Sequence, residues 1–360
     1  MRTKLLKTGL LLLCFLFFVS WFYKTIMLML LVSVWRRELR LWRAWSFKAV
    51  MAVLIIALFF VMPRYRYNTS DRVQLIYQDE NNSPMLPPVH HYLINVLFPE
   101  EELCNLGVWG ARILPKRLFP FAGWLLDEFK YENKRGNTGK FVNPYRMLNR
   151  RGLYPMSGIT SQLCNMMGMG NTRSVYLIKP ENYDENRTYP VVFFMHGLLG
   201  NWKNYAGISL KFEDCIVMCV GTKDWSGIYD ADDIENLFTD QIPFLEKSGY
   251  KVDKNNLHII GLSNGGSASN VAYQNYSSEF KSIAFISTGI HQTFPISSEV
   301  LLVGGGKDHS SASLPAAYKT LKGNGTQVDM YWGEDESHYV LLSQFDEVAS
   351  FLNKHYAQCK

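Results

Sequence analysis

The residues best able to do chemistry stand in the string LHIIGLSNGGSASNVAYQ, residues 257–274. Its centre, Gly261-Leu262-Ser263-Asn264-Gly265, fits G-x-S-x-G, with an apolar run before it and a helical pattern after it. A serine in a tight strand-to-helix turn stands clear of the sheet, and small residues two positions either side let that turn close without steric conflict. Ser263 would also sit at a helix N-terminus, where free backbone N–H groups and the dipole favour developing negative charge. A small-residue helix start would give the same five letters; the flanking strand and helix favour a nucleophile.

A serine nucleophile needs a base, and the base needs an orienting acid. His90 and His91 lie in a segment without readable pattern, His196 belongs to a glycine-containing loop, and His258 falls inside the strand that leads to Ser263. His291 follows a later strand, His309 follows Asp308, and His355 sits in the terminal helix pattern. His338, in Glu334-Asp335-Glu336-Ser337-His338-Tyr339, falls in the loop between the last strand and the last helix and is the best base. For the acid, the run from Val300 leaves its strand through Gly304, Gly305 and Gly306 and ends at Asp308. A helix-capping role ahead of Ser310 and Ser311 is the competing reading of Asp308, and Asp335 is the second candidate acid.

The remaining requirement is a pair of N–H donors for an oxyanion. Val191 to Met195 is a strand pattern that ends in His196-Gly197-Leu198-Leu199-Gly200. The expected donors are the N–H of Asn264, directly after the nucleophile, and that of Leu198 or Gly197.

These residues need a scaffold that brings strand ends together. Strand patterns cover 174–178, 191–195, 215–220, 257–261, 282–287, 300–304 and 328–332, with helical patterns at 232–247, 264–275, 314–321 and 340–355. Continuous apolar runs alternating with amphipathic helices predict an α/β fold, a mainly parallel sheet covered on both faces. In such sheets ligands bind at the carboxyl ends of the strands, where Ser263, Asp308 and His338 would all emerge.

With these motifs in place, the last ~190 residues resemble the α/β-hydrolase superfamily: strand-HG at 191–197, G-x-S-x-G at 261–265, then Asp308 and His338 in the superfamily's order. The form GLSNGG, preceded by YKVDKNNLHII, is similar to secreted esterases of the feruloyl esterase and polyhydroxybutyrate depolymerase type, with some likeness to dienelactone hydrolases. The resemblance implies the α/β-hydrolase fold and a Ser263-Asp308-His338 triad. The reaction is then cleavage of a carboxylic ester, small or polymer-linked, through an acyl-enzyme, with no cofactor. A serine peptidase or a lipid hydrolase would share the same site, and an inactive membrane-tethered binding protein is the alternative outside catalysis.

Two features depart from those secreted enzymes. The first is the N-terminus. Residues 1–63 hold nine Lys or Arg against one acid, a balance of +8, and the rest of the chain holds 28 basic and 31 acidic residues, a balance of −3. The positive charge thus flanks apolar runs rather than a folded domain with stacking aromatics, which argues against nucleic acid as partner. Residues 8–34 are almost unbroken apolar apart from Lys24, and a second run covers 49–62. Each is read as one spanning helix, the second with a snorkelling Lys48, giving a transmembrane hairpin with the bilayer as partner. The dense basic turn at 36–48 favours a cytoplasmic loop and an extracytoplasmic catalytic domain.

The second departure is residues 64–170, mixed in polarity and rich in proline, read as a linker or cap. Lys130, Lys134, Arg135, Lys140, Arg146, Arg150 and Arg151 there fit a solvated face or a contact with anionic headgroups. The domains expected are therefore an anchor at 1–63, this linker or cap at 64–170, and a catalytic domain at 171–360. Six cysteines show no metal or redox spacing, Cys215 and Cys219 being too far apart along one strand to bond. No metal site is expected, and the oligomeric state is open.

Overall fold

The computed structural model describes residues 2–17, 21–35, 49–53, 72–88, 90–91, 94, 100, 103–104, 110, 123–141, 143–150, 158–198, 203–224 and 226–356. Among the described residues nine strands form one sheet in the order β2-β1-β3-β5-β4-β6-β7-β8-β9. The central six, β5 (Ile216–Val220), β4 (Tyr189–Met195), β6 (Val252–Leu262), β7 (Ser282–Ile286), β8 (Glu299–Gly305) and β9 (Val328–Gly333), pair in parallel. β3 (Arg173–Ile178) joins β5 antiparallel, and β1 (Val73–Gln78) and β2 (Pro84–Met85) continue the antiparallel edge. The sheet thus reaches into the segment expected to be a linker or cap.

The continuous apolar strands follow from burial on both faces. In β4, Val191, Phe193 and Met195 pack in one core with Leu237 and Leu245, Ala272 and Tyr273, and Leu314 and Leu321. Val192 and Phe194 point the other way, into a second core with Ala206, Ile208, Val348 and Leu352. The side-chain period of two divides the strand between the two cores, so no position along it can be polar without cost. Phe193 and Phe194 are both fully buried, each contributing about 2–3 kcal/mol of transfer free energy.

The helices, in chain order, are α1 (Arg2–Phe17), α2 (Trp21–Trp35), α3 (Gly123–Lys134), α4 (Asn143–Arg150), α5 (Ile159–Met166) and α6 (Lys203–Ser209). Next comes α7 (Ala231–Asn236), which continues through a π-turn at Leu237–Gln241 into Ile242–Lys247. Then follow α8 (Gly266–Asn275), α9 (Leu314–Gly323), α10 (Val340–Ser343) and α11 (Phe345–Tyr356). The terminal helix expected over 340–355 is thus divided, with Gln344 at φ −118° and ψ 46° between the two pieces.

The N-terminal expectation requires correction. The first apolar run is not one helix: the Trp35 indole N–H donates to Thr8 Oγ1 at 2.7 Å. At about 1.5 Å per residue a straight helix would hold those residues roughly 40 Å apart, so α1 and α2 double back on each other. Among the described residues no helix is long and apolar enough to cross a membrane. Of the second run, 49–53 is helical and the remainder lies outside the described residues. Summed hydropathy counts apolar residues and is blind to a reversal of direction. Lys24 reflects that reversal, its ammonium lying 5.5 Å from the Phe15 ring centre on the other helix.

Candidate active site

Parallel strands end at one edge, and the sheet delivers four loops there. β6 ends at Leu262 in extended conformation (φ −107°, ψ 127°), and Ser263 then takes φ 54°, the left-handed region that side chains avoid. A short 3₁₀ turn, Ser263–Gly265, leads into α8. The glycines allow this by close approach: a Cβ on Gly261 would lie 2.4 Å from Gly265 O, and one on Gly265 would lie 2.4 Å from Met195 O. The strained serine is therefore over-determined by its neighbours, a pattern found where backbone strain serves function.

The side chains singled out from sequence meet in a chain of hydrogen bonds. His338 Nε2 lies 2.8 Å from Ser263 Oγ, and His338 Nδ1 lies 3.0 Å from Asp308 Oδ1. With His338 neutral, Nδ1–H donates to the carboxylate and Nε2 accepts from the serine hydroxyl. Asp308 is 2% exposed and also accepts from the Ser310 N–H at 2.9 Å and from Ser311 Oγ at 2.7 Å. Burial alone would raise its pKa; the hydrogen bond and charge of His338, with the Ser311 and Ser310 donors, hold it below the usual carboxylate range.

The loops carrying Asp308 and His338 are laced together. Gly306 N–H donates to Gly333 O and Lys307 N–H to Glu336 O, each at 2.9 Å. The glycine run before Asp308 permits this, since a Cβ on Gly305 would come within 2.1 Å of Glu336 O. Ser287, at the end of β7, donates its hydroxyl to the His338 carbonyl at 2.8 Å. His338 Nδ1 is taken by Asp308 rather than by Asp335, the second candidate acid, whose backbone carbonyl accepts from Tyr131 and Arg135.

At the end of β4, Gly197 abuts the nucleophile, a Cβ there meeting Ser263 Cβ at 3.1 Å. The Asn264 side chain donates to Ser226 O at 2.8 Å, and Gly227 lies against the Gly197–Leu198 peptide so closely that a Cβ would be 2.3 Å from Gly197 O. The Ser226–Gly227 turn thus braces both backbone segments that carry the expected oxyanion donors. His196 is fully buried and structural: Nδ1 lies 2.7 Å from Gly197 O, and Nε2 accepts from Thr222 N–H. Burial lowers its pKa to about 4, so it stays neutral.

Sequence reading missed the contribution of α3. Its Glu128 carboxylate accepts the backbone N–H of His338, and the buried Glu132 accepts from Ser337 Oγ (2.8 Å), Asn137 Nδ2 (2.7 Å) and Arg135 Nη1 (3.1 Å). Arg135 also holds Glu336 through both terminal nitrogens, at 3.0 and 2.6 Å, and Lys140 donates to the Ser343 carbonyl. Two of the cations read as a solvated or headgroup-facing stretch are therefore turned onto the loop that carries His338 and the helix after it. The Trp124 indole meets the His338 ring edge-on, with centroids 5.0 Å apart. The available signal was Trp124, Glu128 and Glu132 at spacings of four, which places two acids on one helix face with an aromatic.

No metal motif is legible in the sequence, yet the fold gathers one donor set away from Ser263. The ligand atoms of His90, His91 and Cys164 lie within 4.8 Å of one another, and neither His91 ring nitrogen has a hydrogen-bond partner. Imidazole and thiolate are donors that zinc and copper accept. Cys215 and Cys219 are buried and not joined in a disulfide.

Comparison with known proteins adds the family. Solved structures to which this chain is similar include a ferulic acid esterase (TM-score 0.42, 18% identity, covering 51% of this chain and 93% of the other). An S-formylglutathione hydrolase from Agrobacterium tumefaciens gives a TM-score of 0.37 at 18% identity, over 52% and 90% of the two chains. An acylaminoacyl peptidase from Pyrococcus horikoshii gives 0.40 at 15%, over 52% and 40%. Among curated proteins no significant match is found. The family model Esterase, described as "Putative esterase", matches residues 167–355, more than half of the chain. The chain therefore belongs to this esterase family, serine hydrolases of the α/β-hydrolase fold that act on esters.

Proposed function

We propose that Ser263, His338 and Asp308 form the triad of a carboxylic ester hydrolase. The observation that carries this reading is the continuous contact from Ser263 Oγ through both ring nitrogens of His338 to Asp308. His338 takes the Ser263 proton as the serine attacks the carbonyl carbon, and Asp308 holds the ring in the tautomer that leaves Nε2 as acceptor. The N–H groups of Asn264 and of Leu198 or Gly197 receive the charge on the carbonyl oxygen. The protonated His338 then gives its proton to the leaving alkoxide, and water, deprotonated by the same ring, releases the acyl group.

Ser263→Ala is expected to abolish hydrolysis of a nitrophenyl ester and labelling by a fluorophosphonate, with an unchanged melting temperature. Wild-type turnover in that variant would overturn the assignment.

The domain organisation follows the same reading, with catalysis in 171–360, a segment at 64–170 that supplies part of the sheet and the α3 supports, and an apolar N-terminal region at 1–63. Leu5, Leu6, Leu10, Leu13 and Leu28 on α1 and α2 are exposed, which supports contact of this region with a bilayer. Failure of the full chain to co-sediment with phospholipid vesicles would oppose that contact.

A further inference from the structure

Glu128 is the one carboxylate that α3 sends to the base. Oε2 accepts the His338 backbone N–H, while Oε1 is buried without a hydrogen-bond partner. The carboxylate oxygens of Glu128 and Asp308 and the ring nitrogens of His338 include one atom from each residue, all within 4.8 Å of one another. Glu128 is 8% exposed and comes from a part of the chain 210 residues before His338. A hydrophobic or amide side chain would fill that space without bringing charge to a site that already contains Asp308.

We propose that Glu128 is a second acidic positioning residue of the hydrolase. Its carboxylate fixes the His338 backbone and, when ionised, stabilises the imidazolium that forms as Ser263 attacks. This deepens the triad reading and rests on it. The balance is simple: the serine proton moves to His338 Nε2, the ring gains one positive charge, and no proton passes through Glu128. Asp308 stabilises that charge through Nδ1–H, and Glu128, bonded to the His338 backbone and not to its ring, adds a second anion within a few ångströms, where partial burial limits screening. The segment ahead of the catalytic domain then belongs to the catalytic apparatus.

The groups that face Glu128 define its titration. They are His338 and Asp308 from the two laced loops, the backbone N–H of His309, and buried Tyr339 next to His338. On its own helix the nearest acid turned the same way is Glu132, which is ion-paired to Arg135. Burial is the largest influence and, with the nearby Asp308 charge, raises Glu128 to about 7 against the opposing His338 interactions. Ionisation of Glu128 therefore falls in the range where esterases work.

The experiment is the pH dependence of kcat/KM for nitrophenyl acetate in the full chain and in Glu128→Gln, which keeps an oxygen for the His338 N–H and removes the charge. The wild type should show an acid limb governed by two ionisations, steeper than one proton, and the variant a limb governed by one. At pH 8 the variant should lose about tenfold in kcat with KM little changed. A variant with wild-type kcat and an unaltered acid limb overturns the proposal. Should Glu128→Gln fail to fold, the wild-type limb decides alone: a single-proton slope overturns the proposal and a two-proton slope supports it. Ser263→Ala measured alongside separates the two levels, since activity surviving there defeats the triad, whereas its loss beside an unaffected Glu128→Gln defeats only the role given to Glu128.

Discussion

Glu132 and Ser337 lie 205 residues apart and are joined by a buried hydrogen bond of 2.8 Å. Ser337 directly precedes His338, so this bond ties α3 to the loop that carries the base. The Glu132 carboxylate is fully buried and satisfied by three donors, from Ser337, Asn137 and Arg135. Replacing it with alanine takes the carboxylate acceptor from Ser337 and Asn137 and leaves the Arg135 charge with Glu336. Breaking a buried ion pair costs about 3–5 kcal/mol, reduced here because the Arg135 side chain is 26% exposed. Glu132→Ala is therefore expected to cost about 3 kcal/mol in urea unfolding and to lower turnover by loosening His338. An unfolding midpoint equal to wild type would show that α3 does not hold this loop.

That tie also marks where sequence reading ends. β3 to β8 are each legible because a buried apolar run looks the same whatever lies beside it, and the half-buried edge strand β9 shows through Val328, Met330, Tyr331 and Trp332. β1 and β2 were not, since they form an antiparallel edge within a segment of mixed polarity, and β3, the strand that ties β1 to the sheet, lies about 100 residues on. Ser263, Asp308 and His338 stand at strand ends, so knowing the strands is enough to place them at one rim. Glu128 and Glu132 stand in mid-helix, and only the three-dimensional approach of α3 to the 334–338 loop reveals what they do. The N-terminal run misled for the converse reason: composition reported apolarity, and the Thr8 to Trp35 contact reports direction.

The serine turn should be intolerant at one glycine and indifferent at another. A Cβ on Gly265 would lie 2.4 Å from Met195 O and 2.5 Å from His196 O, both backbone atoms that cannot swing aside. Gly323, at the end of α9, has nothing within 4 Å of its Cβ position. Gly265→Ala should cost about 2–3 kcal/mol through overpacking and lower kcat/KM by at least about a hundredfold as Ser263 and the Asn264 N–H are displaced. Gly323→Ala should leave activity unchanged and stability equal or slightly raised. Thermal melts and nitrophenyl ester kinetics on the pair would decide, and an active Gly265→Ala enzyme would contradict the packing described.

Buried neutral histidines predict loss of stability on acidification. His196 is lowered by burial to about 4, and His258, inside β6 with Nδ1 2.8 Å from Ser282 Oγ, to about 3, with burial and then Lys281 as causes. Both native pKa values lie below the unfolded value of 6.5, so the unfolded state binds more protons as pH falls. Their contribution is complete above about pH 6.5 and is lost from there down to about 4 for His196 and about 3 for His258, on the order of 3 kcal/mol for His196 alone. His196→Gln should flatten this part of the stability curve. Urea midpoints from pH 8 to 4 that were unchanged by that substitution would argue against a buried neutral imidazole.

Glu128 acts in the opposite direction, which makes its stability signature separable from that of the histidines. Its native pKa of about 7 lies above the ordinary glutamate value of 4.5, so the folded state favours the protonated acid. The associated stability is full below about pH 4.5 and is lost as pH rises to about 7, above which the ionised group is held at a cost. The shift corresponds to about 3 kcal/mol, an upper figure for a carboxylate that keeps some contact with water. Glu128→Gln carries no such cost. The variant should match wild type in stability near pH 4.5, exceed it progressively towards pH 7, and hold a constant advantage of about 2 kcal/mol above that. Denaturant melts of the two proteins at matched pH test this directly, and an advantage independent of pH would mean that the carboxylate is not ionising in the folded chain. A variant both more stable and slower would show that α3 holds a charge beside His338 at the expense of the fold, as expected of a residue retained for its effect on the imidazolium.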